Sequence, residues 1–329
     1  MRIISLFIIL FLFASCGEKT NESKATVSNL DSLVQLYPDS LPLLVEYSEI
    51  LLKEMRTSES LPLAAKAFRL DSTDLHIRYI YASSLVNRVE RTTADVEIAQ
   101  KHLVYITRKE PANKEALMDL ATTYTIQGEY DRSFKTLNEI LRIDKKYRDA
   151  YSMKGMNYRA LGNDKLAKSS FETAVQQDPE FFMGYLQLAW LYSESNEYNR
   201  ALEYFRTAAT LEPTSTDALY GLAYSLQETQ KYPEALSEYR HLIEIDNDYY
   251  LAFFNQAYIK QFHQNQPDSA LFFYKAAIEL QPDFVKAHHN MGVVYLDQGN
   301  KGDAYYAFKK ALKYNPEYEL SQKAILKCK

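Results

Sequence analysis

The sequence predicts an all-α fold, a solenoid of about eight antiparallel helix pairs, and three observations support this prediction. First, residues 148–181 and 182–215 repeat each other with a spacing of 34 residues. Second, the 10 prolines fall at or near predicted helix ends, where a missing amide hydrogen is tolerated. Third, 27 Tyr and 16 Phe accompany only 9 Gly, which favours long helices with aromatic contacts. Self-similarity at such a period is typical of stacked repeat architectures.

The overall composition is that of an ordinary globular chain and excludes several classes of function. With 329 residues and 47% hydrophobic residues, the chain can bury a sizeable core. The formal net charge is −5, and the sequence shows no clustered Lys/Arg stripe. We therefore predict that the chain binds no nucleic acid. Its 2 cysteines, Cys16 and Cys328, are too few for a disulfide framework.

The first 16 residues, MRIISLFIILFLFASC, have the pattern of a secretory signal peptide. One Arg precedes an apolar run that is shorter than the about 20 residues of a membrane-spanning helix, and small residues follow the run. The segment around Cys16 resembles the lipobox of bacterial lipoproteins, with Phe13 where Leu is commoner. This resemblance implies that residues 1–15 are removed and that Cys16 is acylated, with palmitate as an expected lipid. The alternative is an ordinary signal peptide with an incidental cysteine.

Residues 16–29 are predicted to be the acylated cysteine and a disordered tether. The segment is polar and has no aromatic residue, so it cannot bury enough apolar surface to fold by itself. An acylated Cys16 would insert into a lipid bilayer and place the protein in the bacterial cell envelope. Because Gly17 is not the Asp that resembles an inner-membrane retention signal, the outer membrane is favoured.

The spacing inside the unit at residues 148–181 has a direct physical interpretation. Ala167, Phe171 and Ala174 lie one and two helical turns apart, so they share one face of the second helix. Gly162 closes the first helix, where a residue that can adopt positive φ is needed. Pro179 stops the second helix because it cannot continue the hydrogen-bond ladder.

This spacing closely resembles the tetratricopeptide repeat, and the resemblance covers residues 30–329. It implies a right-handed superhelical solenoid of helix pairs. The predicted units are 41–74, 75–113, 114–147, 148–181, 182–215, 216–250, 251–284 and 285–318, with a capping helix before them at Leu30–Tyr37 and a closing helix at 319–329. One unit carries about five extra residues, placed in Arg88–Asp95, and another carries one, placed in Gln264–Pro267. The Arg88–Asp95 insertion is either a functional loop or a tolerated surface loop.

The family resemblance implies that a partner binds in a concave groove lined by the first helices. Candidate groove residues are those that the packing positions leave free. These are Met156, Arg159, Met183, Leu186, Trp190, Tyr220, Tyr224, Asn255, Lys286 and His289, together with Asp149, Ser152, Ser193, Asp217, Gln227, Ile259 and Val293. Exposed aromatic anchors of the Trp190 kind dominate binding energies. The alternative is that these rings only pack between helices.

The sequence carries no catalytic or metal-binding motif. Adjacent residues on a helix point in different directions, so His288 and His289 do not converge on a metal. We therefore predict no enzyme, no cofactor and no metal site. The predicted function is a membrane-anchored scaffold that binds unidentified envelope proteins. The alternative is a non-catalytic module that binds glycan or peptidoglycan through aromatic stacking, and a homodimer is left open.

Overall fold

The computed structural model describes residues 21–329, and all regular secondary structure in this range is helical. A leading helix, α1 (Asn21–Leu36), precedes eight helix pairs. The first helices of the pairs are α2 (Leu41–Lys53), α4 (Leu75–Asn87), α6 (Lys114–Ile126), α8 (Arg148–Ala160), α10 (Phe182–Glu194), α12 (Thr216–Glu228), α14 (Tyr250–Phe262) and α16 (Val285–Asp297). The second helices are α3 (Thr57–Leu70), α5 (Thr93–Lys109), α7 (Tyr130–Ile143), α9 (Asp164–Gln177), α11 (Tyr198–Leu211), α13 (Tyr232–Ile245), α15 (Pro267–Leu280) and α17 (Lys301–Tyr314). A short helix, α18 (Glu319–Ile325), and a 3-10 turn (Leu326–Cys328) close the chain.

The helix pairs confirm the predicted all-α class and the number of repeats. Seven of the eight pairs begin at the predicted residue, and α14 begins at Tyr250, one residue before the predicted start. The leading helix packs against α2, and α18 packs against α17, so both ends of the repeat series are covered. None of the helices within residues 21–329 is long and apolar enough to cross a bilayer.

The chain divides into two compact units, residues 21–170 and Phe171–Lys329, with the boundary inside α9. In the first unit each helix packs against the next, and the first helices α2, α4, α6 and α8 also contact one another in series. In the second unit the first helices α10, α12, α14 and α16 do the same. Each unit therefore presents one face that is built from first helices.

The core of the second unit repeats one arrangement of large and small residues. The ring one turn after the small residue of each second helix is fully buried, namely Phe171, Phe205, Tyr239, Tyr274 and Phe308. Burying such a ring stabilises the fold by about 1.5–3 kcal/mol. Gly221 and Gly292 lie directly against Phe205 and Phe308, where a side chain would not fit. Gly221 thus allows α12 to approach α11 closely, and Gly292 allows α16 to approach α17.

The turn between the two helices of a pair adopts the predicted left-handed conformation. Gly162 has φ of 71° and Asn196, at the same place in the next pair, has φ of 58°. Gln230, again 34 residues later, has φ of 62° although its side chain disfavours this region. The turn geometry is therefore maintained where glycine and asparagine are absent.

The insertion predicted in Arg88–Asp95 is divided between a loop and a helix. The loop from Arg88 to Thr92 has two residues more than the usual three-residue turn, and α5 has 17 residues against 14 in most second helices. Thr92 and Asp95 form a reciprocal cap at the start of α5, and Arg88 pairs with Asp95 at 3.2 Å. Arg88 Nη2, Arg91 Nη1 and Thr92 all bond within the loop and its cap, whereas Arg88 Nε is buried without a hydrogen-bond partner. The contacts within the loop favour a surface loop over a binding loop.

Two local predictions are corrected. The tether was predicted to be disordered up to residue 29, but α1 begins at Asn21, so residues 21–29 are helical. Leu30 of α1 is buried against Tyr47 and Leu51 of α2, and this contact stabilises α1. The polar residues 21–29 form the N-terminal part of the same helix. Pro62 was placed near a helix start, but it lies inside α3, which starts at Thr57.

Candidate functional site

The first-helix face of the second unit carries a connected set of aromatic rings. Trp190 of α10 and Tyr220 of α12 are stacked with ring centroids 6.5 Å apart, and Tyr220 stacks on Tyr224 at 6.2 Å. Tyr249, directly before α14, lies 5.4 Å from Tyr220, and Tyr198, the first residue of the second helix α11, meets Tyr224 edge-on at 6.0 Å. We call these five residues the aromatic face. All five are half-buried, so each ring retains a solvent-accessible part.

Contacts with buried residues fix the positions of Trp190 and Tyr220 in the aromatic face. Trp190 packs edge-on against the fully buried Phe205, with centroids 4.9 Å apart. Asn255 of α14 donates a hydrogen bond to the Tyr220 hydroxyl at 3.4 Å. Burial raises the pKa of both Tyr220 and Tyr224 above the ordinary value, so these hydroxyls stay protonated and can donate. The face therefore combines flat apolar rings with fixed polar groups.

The predicted groove residues of the second unit differ in their exposure. Trp190, Tyr220 and Tyr224 belong to the face, and Met183 is half-buried. Leu186 is buried in the core, whereas Lys286 is exposed. Met156 and Arg159 are half-buried on α8 of the first unit. Trp190 packs against the core and part of it stays accessible, so its packing role is observed and its binding role stays a prediction.

The groove register predicted for α14 is wrong by one residue. Ile259 is fully buried and Asn255 is nearly so, whereas Phe254 and Tyr258 are half-buried. Phe254 and Tyr258 follow Tyr220 and Tyr224 by 34 residues, so they are the true equivalents. The extra residue lies in the four-residue turn 263–266, which agrees with its predicted place in Gln264–Pro267. The error arose because the unit was predicted to start at residue 251, one residue after the start of α14, and the groove residues were counted from there. Reading the 34-residue spacing forward from Tyr224 would have identified Tyr258.

His288 and His289 have structural partners. His289 Nδ1 lies 2.9 Å from Ser321 Oγ of α18, and His288 Nε2 lies 2.9 Å from the Pro282 carbonyl. Burial lowers the pKa of both imidazoles. His289 thus links α16 to the closing helix, and because its side chain is buried, the structure does not support the prediction that it lines a groove. Within residues 21–329, no group of three or more His, Cys, Asp or Glu side chains could hold a metal ion.

The first unit contains a buried carboxyl group on α6. Asn87 of α4 donates to Asp119 Oδ1 at 3.1 Å, and Asp119 Oδ2 is buried without a hydrogen bond. Burial raises the pKa of Asp119, and hydrogen bonding to Ser83, Asn87 and Tyr79 only partly opposes this shift. A carboxyl group that binds its proton more tightly when folded stabilises the fold below its unfolded pKa of about 3.8 and loses that contribution as the pH rises through the folded value.

We therefore expect Asp119→Asn to raise the free energy of unfolding at neutral pH. The amide has no charge to desolvate and keeps an oxygen for Asn87, so the gain should be about 1 kcal/mol. The stability of the variant should also depend less on pH between the unfolded pKa and neutrality. Urea unfolding at a series of pH values measures both effects. Glu97→Gln, which removes an exposed carboxylate from α5, is the matched control and should change neither.

The architecture defines this chain as a helix-pair repeat protein, and comparisons with known proteins identify the repeat. Six tetratricopeptide-repeat models match residues 88–148, 149–181, 170–203, 193–253, 262–299 and 285–318, which together cover more than half of the chain. The chain is therefore a tetratricopeptide-repeat protein. A comparison with curated proteins gives no match.

Solved structures share the fold at low sequence identity. The subunit matched in the APC/C hetero-tetramer Cut9-Hcn1 is 15% identical, with a TM-score of 0.53 over 94% of this chain and 59% of that one. A tetratricopeptide repeat protein from Parabacteroides merdae is 19% identical, with a TM-score of 0.50 over 77% of this chain and 98% of that one. YrrB, described as a TPR protein with an unusual peptide-binding site, is 20% identical, with a TM-score of 0.50 over 57% and 96%.

Proposed function

We propose that this protein is a membrane-anchored scaffold of the bacterial cell envelope that holds a segment of a partner protein against the aromatic face. Tetratricopeptide repeats are typically non-catalytic interaction scaffolds, which supports the general class. The observation that carries the specific proposal is the connected set of half-buried rings from Trp190 to Tyr249. A patch of so many neighbouring accessible rings is typical of a surface that a partner covers.

The chemistry of the aromatic face favours an extended peptide or a helix with apolar side chains. Tyr and Trp provide large contact areas and a polar handle, and they dominate the binding energy where a partner excludes water from them. The Tyr220 hydroxyl is a polar group that could orient a peptide backbone, and the buried Asn255 amide fixes it by donating a hydrogen bond. Tyr220 therefore offers a partner segment both an apolar ring and a polar contact.

The membrane anchor rests on the sequence pattern alone, because residues 1–20 lie outside the described part of the protein. Acylated Cys16 would attach the chain to a bilayer, and the outer membrane is favoured over the inner one. Intact mass measurement of the protein purified from its native membrane tests this part. Loss of residues 1–15 together with added acyl mass supports the anchor, and a chain that starts elsewhere or carries no lipid contradicts it.

Crosslinking in intact cells tests the scaffold proposal, with purification and mass spectrometry of the attached proteins. We expect reproducible envelope proteins whose capture falls by about 30-fold in Tyr224→Ala, since an aromatic hot spot contributes 2 kcal/mol or more. Tyr224 is preferred over Trp190 because its ring contacts Tyr198 and Tyr220 and not the buried Phe205, so its removal disturbs the core less. Phe272→Ala, which removes a 67% exposed ring from the second helix α15, is the matched control. Equal capture by folded Tyr224→Ala and wild type would contradict the proposal.

A glycan-binding module is a second candidate, and one ring cluster favours it. Tyr232 stacks on His263 at 4.1 Å, and Tyr258 lies 4.7 Å from Phe262, which is 49% exposed. Such a cluster at the end of α14 could stack on a sugar ring. Co-sedimentation of the full chain with insoluble peptidoglycan, lost in Phe262→Ala and retained in Tyr224→Ala, would favour this function over the scaffold.

A further inference from the structure

The C-terminal segment, residues 301–329, which includes α17, differs in charge from the rest of the protein. Residues 301–329 contain seven Lys and three Asp or Glu, a net charge of +4, so the first 300 residues carry −5 − 4 = −9. All of the cations in this segment are Lys, and none is Arg. The interpretation that the sequence has no cluster of basic residues is therefore wrong at its C-terminal end. The total composition conceals the cluster because the acidic remainder outweighs it.

Helical periodicity places this charge on one face together with two tyrosines. The buried side of α17 consists of Ala304, Ala307, Phe308 and Ala311. The opposite side carries residues spaced by four, one, three, one and three positions, which is the spacing of a single helix face. These residues are Lys301, Tyr305, Tyr306, Lys309, Lys310 and Lys313, which we call the lysine–tyrosine face. Tyr305 is 42% exposed and Tyr306 is 60% exposed.

The lysines of this face are not neutralised by the protein. None of the four forms an ion pair with any residue of the described range 21–329. Lys310 Nζ instead lies 5.3 Å from the centre of the Tyr306 ring. Lys313 Nζ lies 5.5 Å from the Tyr314 ring, next to the same face. Contacts of this type leave the ammonium groups charged and accessible to an external anion.

From these observations we propose that the lysine–tyrosine face binds the headgroups of anionic lipids, so that the second unit lies against a membrane surface. Tyr is enriched at membrane–water interfaces, where its ring sits at headgroup level, and Lys is attracted to negatively charged lipid. The absence of Arg favours a diffuse anionic surface over a partner with fixed phosphates or carboxylates, which Arg would bind through two parallel hydrogen bonds. This proposal is independent of the aromatic face, which is built from other helices.

The test measures how fast the amines of the face are acetylated in the full-length chain mixed with vesicles. Low-level labelling at single lysines is read by mass spectrometry, with Lys53 of α2 as an internal reference. Vesicles of phosphatidylcholine alone are compared with vesicles of phosphatidylcholine and phosphatidylglycerol. We expect Lys301 and Lys310 to be labelled at least about fivefold more slowly on the anionic vesicles. Their labelling rates should recover in 1 M salt, where the Debye length falls to about 3 Å.

Two charge-reversal variants separate a local face from the total charge. Lys309→Glu with Lys313→Glu should abolish the protection of Lys301 and Lys310, since each lysine near an anionic surface contributes about a fivefold gain in affinity. Lys101→Glu with Lys135→Glu changes the net charge equally on the exposed surface of α5 and α7, and should retain the protection. All four positions are exposed, so both variants should keep the wild-type circular dichroism spectrum.

Three results would overturn the proposal. Equal protection on neutral vesicles would show that lipid charge is not recognised. Equal loss of protection in both double variants would assign the effect to net charge alone. Protection by soluble polyglutamate without any protection by anionic vesicles would assign the face to an acidic protein.

Discussion

Substituting Gly221 with Ala should destabilise the second unit strongly, by about 3 kcal/mol, although the change adds a single methyl group. Gly221 lies on α12, and its Cα faces the fully buried ring of Phe205 on α11. A Cβ at this position would overlap three atoms of that ring, and the ring cannot retreat because it is enclosed by the core. Forcing extra volume into a close-packed interior costs about 1–3 kcal/mol and occasionally more.

The measurement is urea unfolding followed by the fluorescence of Trp190, the only tryptophan of the chain. Trp190 contacts Phe205 edge-on, so its emission reports the packing of the ring that Gly221→Ala displaces. Gly302→Ala is the matched control, because a Cβ at that position meets its nearest atom at 3.9 Å. This control should gain up to about 1 kcal/mol from the better helix propensity of alanine. An unchanged unfolding midpoint in Gly221→Ala would show that the two helices can separate at no cost.

Gly221 also connects the core to the proposed binding surface. Displacement of Phe205 toward Trp190 would tilt the indole and disturb its stacking on Tyr220. The same substitution should therefore weaken partner capture even under conditions in which the protein remains folded. The position of Trp190 in the aromatic face therefore depends on the packing of Phe205 against Gly221.

The repeat architecture could be predicted from the sequence because one spacing encodes it many times. Ala167 and Ala201 occupy the same place in successive pairs, and so do Phe171 and Phe205. A single position that departs from the repeat pattern does not alter the predicted unit boundaries when the neighbouring units keep the pattern. The helix pairs were therefore predicted with correct starts in seven of eight cases.

The 34-residue spacing did not predict the groove register of α14 or the ring contacts of the aromatic face correctly. The extra residue was predicted after α14, in Gln264–Pro267, but the start of the unit was set at residue 251. Counting from that start instead of from Tyr250 decides whether Ile259 or Tyr258 is taken to face outward. Contacts such as Tyr220 with Tyr249 depend on side-chain directions on different helices, and a linear pattern does not specify them.

The conformation of the interhelix turns could also be predicted only in part. Gly162 and Asn196 belong to the residue types that tolerate positive φ, so their role follows from chemistry. Gln230 and Met55 adopt the same conformation with φ of 62° and 60°. Tertiary packing of the two helices imposes the turn at these positions, and it overrides the local preference of the side chain.

Removing the ring of Phe308 should cost about 3–5 kcal/mol, the second large effect that we expect. Phe308 of α17 is fully buried, and its ring packs against Gly292 and lies 5.5 Å from the His289 ring. Truncation to alanine loses the transfer free energy of the ring and leaves a cavity that α16 and α17 can fill only partly. Tyr306→Ala, two residues away on the exposed side of the same helix, is the matched control and should change stability by less than about 0.5 kcal/mol.

The destabilisation by Phe308→Ala should remain local to the end of the repeat series. In a repeat protein each unit interacts mainly with its neighbours, so a weakened terminal unit can open while the inner units stay folded. The closing helix α18 is held in part by Ser321, which hydrogen-bonds to His289 of α16, so it should open together with α16 and α17. Hydrogen exchange measured by mass spectrometry should show lost protection from Val285 onward and unchanged protection in α10–α13. Uniform loss of protection across the second unit would instead mean that its helix pairs unfold as one cooperative body.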